Sequence, residues 1–459
     1  MSRIQLNRRH FLQLASVGLA GLALPAHLRS AEESDGKPIR KGRMLPPDKK
    51  MNLACVGCDG QGESDIESVA SENILALCDV DDKRAEATFK KFPNAKRYRD
   101  YRVMFKELDE QIDGVVVSTP DHMHAPIALL AMSMGKHVYV QKPLAHTIAE
   151  VRAMTLAARK HQVVTQMGIQ GHAVEGSKLV KEWITAGAIG EVHEAHLWTS
   201  KSWSAFPLLA RPSTATPIAE GFDWNLWQGV AEERIHHDCY HPGRWRGWWN
   251  YGCGTLGDMA CHLFDAPFFA LDLTYPTSVE AQSIGTTEDG APRSAMVTYQ
   301  FPAFKGRPPV KVVWYDGFGG NPDAPRPPRP KDLEADRAFD IQDSGMVLYG
   351  SKGTLLSQGS IPQSPRLIPE EKMREFAKNK PLKTLPRAPK GHYQEWISAC
   401  KGGPPTGATF DYAGPLSEMV LMGNLAIRTG KRVEWDAEQM VCTNIAEANR
   451  FVRKSYRSF

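Results

Sequence analysis

Three short stretches of this chain bring together side chains that hold oxyanions and move protons. In Gln141-Lys142-Pro143 an amine precedes a proline in a turn, where it suits the polarisation of a substrate oxygen. In Tyr251-Gly252-Cys253-Gly254-Thr255-Leu256-Gly257-Asp258-Met259-Ala260-Cys261-His262, Asp258 and His262 are four apart and share one face of a helix. An acid beside an imidazole fixes its tautomer and raises its basicity, which suits a base that takes a hydroxyl proton. A pair that merely braces its helix is the alternative, but the glycines before it argue for close approach to a ligand. The third stretch is Gly57-Cys58-Asp59-Gly60-Gln61-Gly62. It aligns with the dinucleotide fingerprint G-x-G-x-x-G at Gly57 and Gly62, with Asp59 at the second glycine, where a carboxylate would repel a pyrophosphate. Gly60, one place on, stands in for it.

Other residues join these by position. Asp79 falls 22 residues after Gly57 at the end of a second apolar run, where an acid accepts hydrogen bonds from ribose hydroxyls and repels a 2′-phosphate. That favours NAD over NADP. A solvated acid at a strand end is the competing reading, since Asp81 and Asp82 follow. Thr119-Pro120-Asp121-His122-Met123-His124 follows a third apolar run, so Thr119, Pro120, His122 and His124 are expected at the cofactor with Gln141 and Lys142. Gln170 and His172 lie at a domain junction, suited to nicotinamide or substrate. In 240–249, His241, Arg244 and Trp245 offer rings and guanidinium groups to sugar hydroxyls and faces, against the alternative of an aromatic core cluster. His236-His237-Asp238-Cys239 lacks regular ligand spacing, and no metal is expected.

These residues need elements to hold them. Apolar runs at 51–57, 73–80, 113–119, 137–141 and 163–168 alternate with helical patterns at 63–71, 83–92, 125–134 and 148–161. Strands alternating with helices predict a doubly wound parallel sheet, with ligands beyond the carboxyl ends of its strands. After Gly190 the runs 192–199, 277–284, 295–301, 310–314, 345–349 and 354–356 have few helices between them. They predict an open, mostly antiparallel sheet with one exposed face, the surface for a dimer or tetramer. Proline interrupts 321–330 and 362–389, and helices return at 391–400 and 413–429.

The Gly-rich turn, Thr-Pro-Asp-x-x-His, Lys-Pro and G-x-L-x-D-x-x-x-H occur in an order that resembles the glucose–fructose oxidoreductase/inositol dehydrogenase (Gfo/Idh/MocA) family, over nearly the whole chain after the first 50 residues. The resemblance implies a Rossmann domain binding NAD or NADP and a C-terminal α/β domain holding substrate. It matches Lys142 to the lysine of the family's Glu-Lys-Pro motif, with Gln141 in place of the Glu, and Asp258 and His262 to its acid–histidine pair. The step expected is hydride transfer from a carbinol carbon of a sugar or polyol to nicotinamide. His262 takes the proton, Asp258 orients the imidazole, and Lys142 stabilises the alkoxide. The runner-up is an NAD-dependent glycosidase acting through transient oxidation and elimination, and a non-catalytic sugar sensor is a third class.

The ends and the composition complete the reading. Asn7-Arg8-Arg9-His10-Phe11-Leu12 before a short apolar run, 12–24, reads as a twin-arginine export signal, too short to span a bilayer. The expected organisation is signal 1–31, polar linker 32–50, cofactor domain 51–170, substrate domain 171–430, and a segment 431–459 packing back on the body. The site of action is then the periplasm, reached through the twin-arginine machinery. A net charge of +4 over 459 residues gives no electrostatic case for nucleic acid. The eight cysteines fall mostly in apolar runs, which favours packed thiols over disulfides.

Overall fold

A computed structural model describes residues 38–339, 341 and 343–459. The proposed signal, with Arg8 and Arg9, lies outside the described residues.

The first domain forms where apolar runs meet turn residues. β1 (Asn52–Val56), α1 (Gln61–Ser68), β2 (Asn73–Cys78), α2 (Asp82–Lys91), β3 (Lys96–Tyr98), α3 (Tyr101–Leu108) and β4 (Gly114–Val117) follow one another. α4 (His124–Ser133), β5 (His137–Val140), α5 (Ile148–His161) and β6 (Thr165–Met167) complete it. The six strands lie in the order β3-β2-β1-β4-β5-β6, and every pair is parallel. β4, Gly-Val-Val-Val, is buried on both faces, as a central parallel strand must be. Helix starts are set by side chains: Asp81 accepts the Arg84 N–H, Asp100 that of Arg102, and Thr147 forms a capping box with Glu150.

The chain then forms α6 (Glu175–Thr185), β7 (Val192–Thr199), α7 (Trp224–Gln228) and α8 (Gly254–Ala270). Strands β8 (Ser278–Ile284), β9 (Ser294–Phe301), β10 (Val310–Asp316), β11 (Ser344–Gly350), β12 (Gly353–Gln358) and β13 (Arg366–Ile368) follow. α9 (Glu370–Lys378), α10 (His392–Cys400), α11 (Phe410–Thr429), β14 (Val433–Asp436) and β15 (Val441–Cys442) end the order. The second sheet has nine strands in the order β13-β12-β11-β7-β10-β9-β8-β14-β15, antiparallel except where β7 pairs β10. α8 and α11 pack together on its inner face, α11 also packs on α5, and Trp396 of α10 is buried with Leu53, Cys55 and Tyr139 of the first domain. The two domains therefore share core.

Two expectations are corrected. The outer face of the second sheet is not open at its centre: Trp198, Val313, Tyr315, Val347 and Leu356 are covered by Phe318, Ala324, Leu333 and Phe339, in and beside the proline-rich stretch 321–330. Exposed residues remain on that face towards its margins, including Glu280 and Ile284 of β8. The described part of the expected linker is fastened to the first domain. Leu45 is buried, Arg40 and Arg43 donate to Asp109 and Asp113, and Leu45 N–H donates to the Cys400 carbonyl. The segment 431–459 lies on the body, with Tyr456 donating to Glu150 and Arg457 to the Asn225 carbonyl, and its β14 also extends the second sheet. All eight cysteines are buried and free.

Candidate active site

A cleft of about 300 Å³ opens beyond the carboxyl ends of β1, β2, β4 and β5, where a doubly wound sheet binds its ligands. Of the residues singled out in the sequence, Gly57, Gly60, Asp79, Thr119, Pro120, Gln141, Lys142, His241, Trp245 and Asp258 line it.

The glycine turn is built for close approach. Gly57 has φ 88°, and a Cβ there would fall 2.6 Å from the Ser118 carbonyl oxygen. A Cβ on Gly62 would collide with the Gly57 carbonyl, so Gly62 lets α1 pack under the turn. Gly60 has φ 58° with open space where its Cβ would stand. Asp59 pairs with Arg84, which balances the charge the fingerprint lacks. Asp79 accepts N–H groups from Cys58 (2.7 Å) and Asp81 (3.0 Å), so it braces the turn as well as facing the cleft. Burial raises its pKa. Arg99, near the same end, is paired with Asp82. The glycine cradle, the carboxylate at the β2 end and the unpartnered buried Thr119 Oγ1 fit a dinucleotide lacking a 2′-phosphate.

At the other end, Lys142 Nζ donates to Asp258 Oδ1 (2.7 Å) and to the Asp258 carbonyl (2.9 Å). Arg246 Nε donates to the same carboxylate oxygen at 3.2 Å. Burial opposes ionisation of Asp258, but Lys142 and Arg246 outweigh it and hold the carboxyl well below its usual range. Asp121 also lines the cleft, and its Oδ2 accepts the Cys253 N–H at 3.1 Å. Burial, then the charge of Asp258, push it up to about 7 against Arg246 and Lys142.

His262, one turn on from Asp258, does not border this cleft and makes no hydrogen bond to Asp258 among the described residues; the carboxylate is given to the two cations instead. The imidazole is half-buried with its Nδ1 unpartnered. Burial and then Lys142 lower its pKa to about 3, against Asp258 and Asp265. It stands on the substrate-domain side of Lys142, near Lys201, whose Nζ is 4.0 Å from Met259 Sδ.

Five other expectations are redirected. His122 lies 3.0 Å from the Trp227 carbonyl and 3.3 Å from that of Tyr251, and His124 lies 2.8 Å from both the Thr119 and Pro143 carbonyls. Both rings are buried ties between loops rather than cofactor contacts. Gln170 donates to the hydroxyl of Tyr393 at 3.1 Å, outside the cleft. His172 is sealed with Asp265, its Nδ1 at 2.8 Å. Arg244 is exposed over a shallow depression shared with Asp81 and His241. The aromatic stretch divides: Trp245 borders the cleft, whereas Trp248 and Trp249 are core.

Three residues matter more than their sequence signals suggested. Asp121 and Arg246 sat inside quoted motifs without a role. Asp65 was unmarked, although it follows Gly62 by three on the buried face of α1. Fully buried, it accepts from Ser118 Oγ (2.6 Å), Gln61 Nε2 (2.8 Å), Tyr393 Oη (2.7 Å) and Gln141 Nε2 (2.9 Å). This explains Gln141: a glutamate there would set two carboxylates face to face.

The chain matches a family model described as an oxidoreductase family, NAD-binding Rossmann fold, over residues 24–169. It matches that family's C-terminal alpha/beta domain over 180–303, and the two together span more than half of the sequence. A glycosyl hydrolase family 109 protein from Shewanella pealeana is 28% identical over 204 residues, 41% of this chain and 45% of that one. A levoglucosan dehydrogenase from Pseudarthrobacter phenanthrenivorans is 29% identical over 157 residues, 34% and 32% of the two chains. The matched stretches thus span less than half of these curated relatives. Among solved structures, the WlbA dehydrogenase of Bordetella pertussis, in complex with NADH and UDP-GlcNAcA, superposes with a TM-score of 0.58 at 16% identity. It covers 84% of this chain and 99% of its own, a likeness of fold.

Proposed function

Since the chain belongs to the Gfo/Idh/MocA oxidoreductase family, with its NAD-binding Rossmann domain, we propose that it oxidises or reduces a hydroxyl-bearing carbon of a sugar or polyol with a tightly bound NAD. The observation that carries this reading is the meeting of Lys142, Asp258 and Arg246 in the same cleft as the glycine turn and Asp79.

Gly57, Gly60 and the start of α1 would hold the pyrophosphate, and Asp79 the adenosine ribose. When bound, the nicotinamide supplies a reversible acceptor for hydride from the substrate carbon. Lys142, fixed by Asp258, presents an ammonium to the substrate oxygen and stabilises charge growing there. His262 is neutral at physiological pH and lies one turn beyond the cleft-lining Asp258, so it would receive the hydroxyl proton on a ring nitrogen from a substrate that reaches past Lys142. Its low basicity is partly imposed by Lys142. Negative charge on the substrate oxygen offsets that cation, so the imidazole gains proton affinity as the proton arrives. Trp245 and His241 border the cleft where a sugar face and its hydroxyls would lie.

A second reading is redox-neutral cleavage of a glycoside, which Asp121 favours: a buried carboxyl pushed up to about 7 is a proton donor near neutrality for a leaving group. Export by the twin-arginine route rests on Arg8-Arg9 and the following apolar run, and agrees with cysteines packed as thiols. Lysines in place of both arginines would leave the protein in the cytoplasm. Assembly as a dimer or tetramer belongs to the same proposal, on the family resemblance.

Mass spectrometry of the purified protein for retained dinucleotide, followed by a panel of sugars and glycosides, tests the reading. NADH formed with a sugar supports the dehydrogenase, and aglycone released without net redox change supports the second reading. A folded protein with no affinity for pyridine nucleotides sinks both.

A further inference from the structure

Behind the cleft lies a second, larger cavity of about 1120 Å³. Segment 249–253 separates the two. Its Cys253 N–H holds Asp121 on the cleft side, and its Cys253 carbonyl accepts from Asn424 on the other, at 2.9 Å. The other walls are the start of α5, one face of α11, the C-terminal tail, and residues 231–232 and 286–288.

The chemistry of this cavity is unbalanced. The guanidinium groups of Arg428 and Arg450 both pack on the ring of Phe451, 3.7 and 4.5 Å from its centre, and Arg428 also lies 5.2 Å from the ring centre of Trp249. Neither has a hydrogen-bond acceptor or ion-pair partner among the described residues. Burial and the charge of Arg450 lower the pKa of Arg428 to about 10. Two of the wall's carboxylates are already engaged. Glu150 takes Thr147, Lys454 and Tyr456, and Glu232 takes Arg234. Glu288 is exposed at the rim, where it offsets Arg428 only in part. One turn before Arg428 on α11, buried Asn424 faces the same space with its Oδ1 unpartnered.

Two cations without a directly paired anion and a buried acceptor without a donor describe one kind of occupant. We infer that the cavity is a second ligand site for a small hydroxylated anion. A carboxylate or phosphate bridges Arg428 and Arg450, and a hydroxyl donates to Asn424 Oδ1. Guanidinium forks match planar and tetrahedral oxyanions, and the desolvated Arg428 beside the like charge of Arg450 gains from a shared counter-ion. The occupant touches the segment that positions Asp121, so its binding is felt in the cleft. Anion binding at this cavity is independent of any redox chemistry in the cleft.

Calorimetric titration of the purified full chain tests it, with inorganic phosphate, gluconate and glucose 6-phosphate as probes and glucose as the neutral control. Saturable binding of gluconate or glucose 6-phosphate is expected, weakened at least about tenfold in Arg450→Gln. Arg450 is exposed, so that variant folds even if Arg428→Gln does not. Asn424→Leu should weaken the hydroxylated probes and leave inorganic phosphate unchanged. Absence of saturable binding by every anion, or equal binding by wild type and Arg450→Gln, overturns the inference. So does sedimentation showing that Arg450→Gln breaks an oligomer, because the occupant would then be a second copy of the chain.

Discussion

The two ends of α8 carry the same residue types and have opposite fates. Near its start, Asp258 meets two cations, Lys142 and Arg246, and lines the cleft. Two turns on, Asp265 meets no lysine or arginine among the described residues but Nδ1 of His172 and the hydroxyl of Tyr412 at 2.7 Å, and is sealed from solvent. Asp65 in the first domain follows the Asp265 pattern, held by an amide and hydroxyls. A carboxylate held by cations keeps its charge and can set the field of a reaction site, whereas one held by neutral donors in the core ties elements together. The chemistry of a residue is thus decided by what faces it, not by its type.

The largest test removes the groups at the open end. His262→Ala should lower kcat by about 10²–10⁴, and Lys142→Met by about 10²–10³, with dinucleotide retention kept. Turnover near wild type in either variant would take that residue out of the proposed chemistry. At the sealed end, Asp265→Asn should cost about 1–3 kcal/mol in urea unfolding while kcat changes by only a few-fold. A collapse of kcat with stability intact would erase the contrast between the two ends.

Asp121 sharpens the comparison through pH. Its folded-state pKa of about 7 lies above the ordinary carboxylate value of 3.8. The folded state therefore holds a proton that the unfolded state releases between those values. The stability it contributes is complete below pH 3.8 and is lost as pH rises towards 7, with a slope of at most about 1.4 kcal/mol per pH unit. Asp121→Asn should remove that slope; an unchanged profile would show that Asp121 ionises freely. The smallest effect concerns the neutral-donor rule itself. Gln141→Glu should destabilise by about 1 kcal/mol above pH 5 by opposing Asp65, and adding Asp65→Asn should restore the loss. Failure of that rescue would mean that Asp65 and residue 141 do not act as a pair.

Much of the fold was legible because its signals are local. The alternation of apolar runs with helical patterns set the parallel sheet, and the helix expected at 148–161 is Ile148–His161, started in the structure by the Thr147 capping box. Elements without such contrast were missed: β3 is three residues with two exposed, and α9 hides between prolines in a polar stretch. In the site, the glycine turn and Lys142 were visible as motifs. The histidines were not separable by sequence, since His122, His124, His172 and His262 have the same donors and differ only in surroundings.

By itself the sequence determined the periodicities, the turn at Gly57–Gly62 and the shared face of Asp258 and His262, because each depends on neighbours within a few residues. Tertiary structure decided which carboxylate meets which partner. Lys142 reaches Asp258 across 116 residues, and Tyr393 reaches Asp65 across 328. Such pairings depend on how sheet and helices pack, so burial and opposing charge, rather than spacing along the chain, assign the protons and the cations in the end.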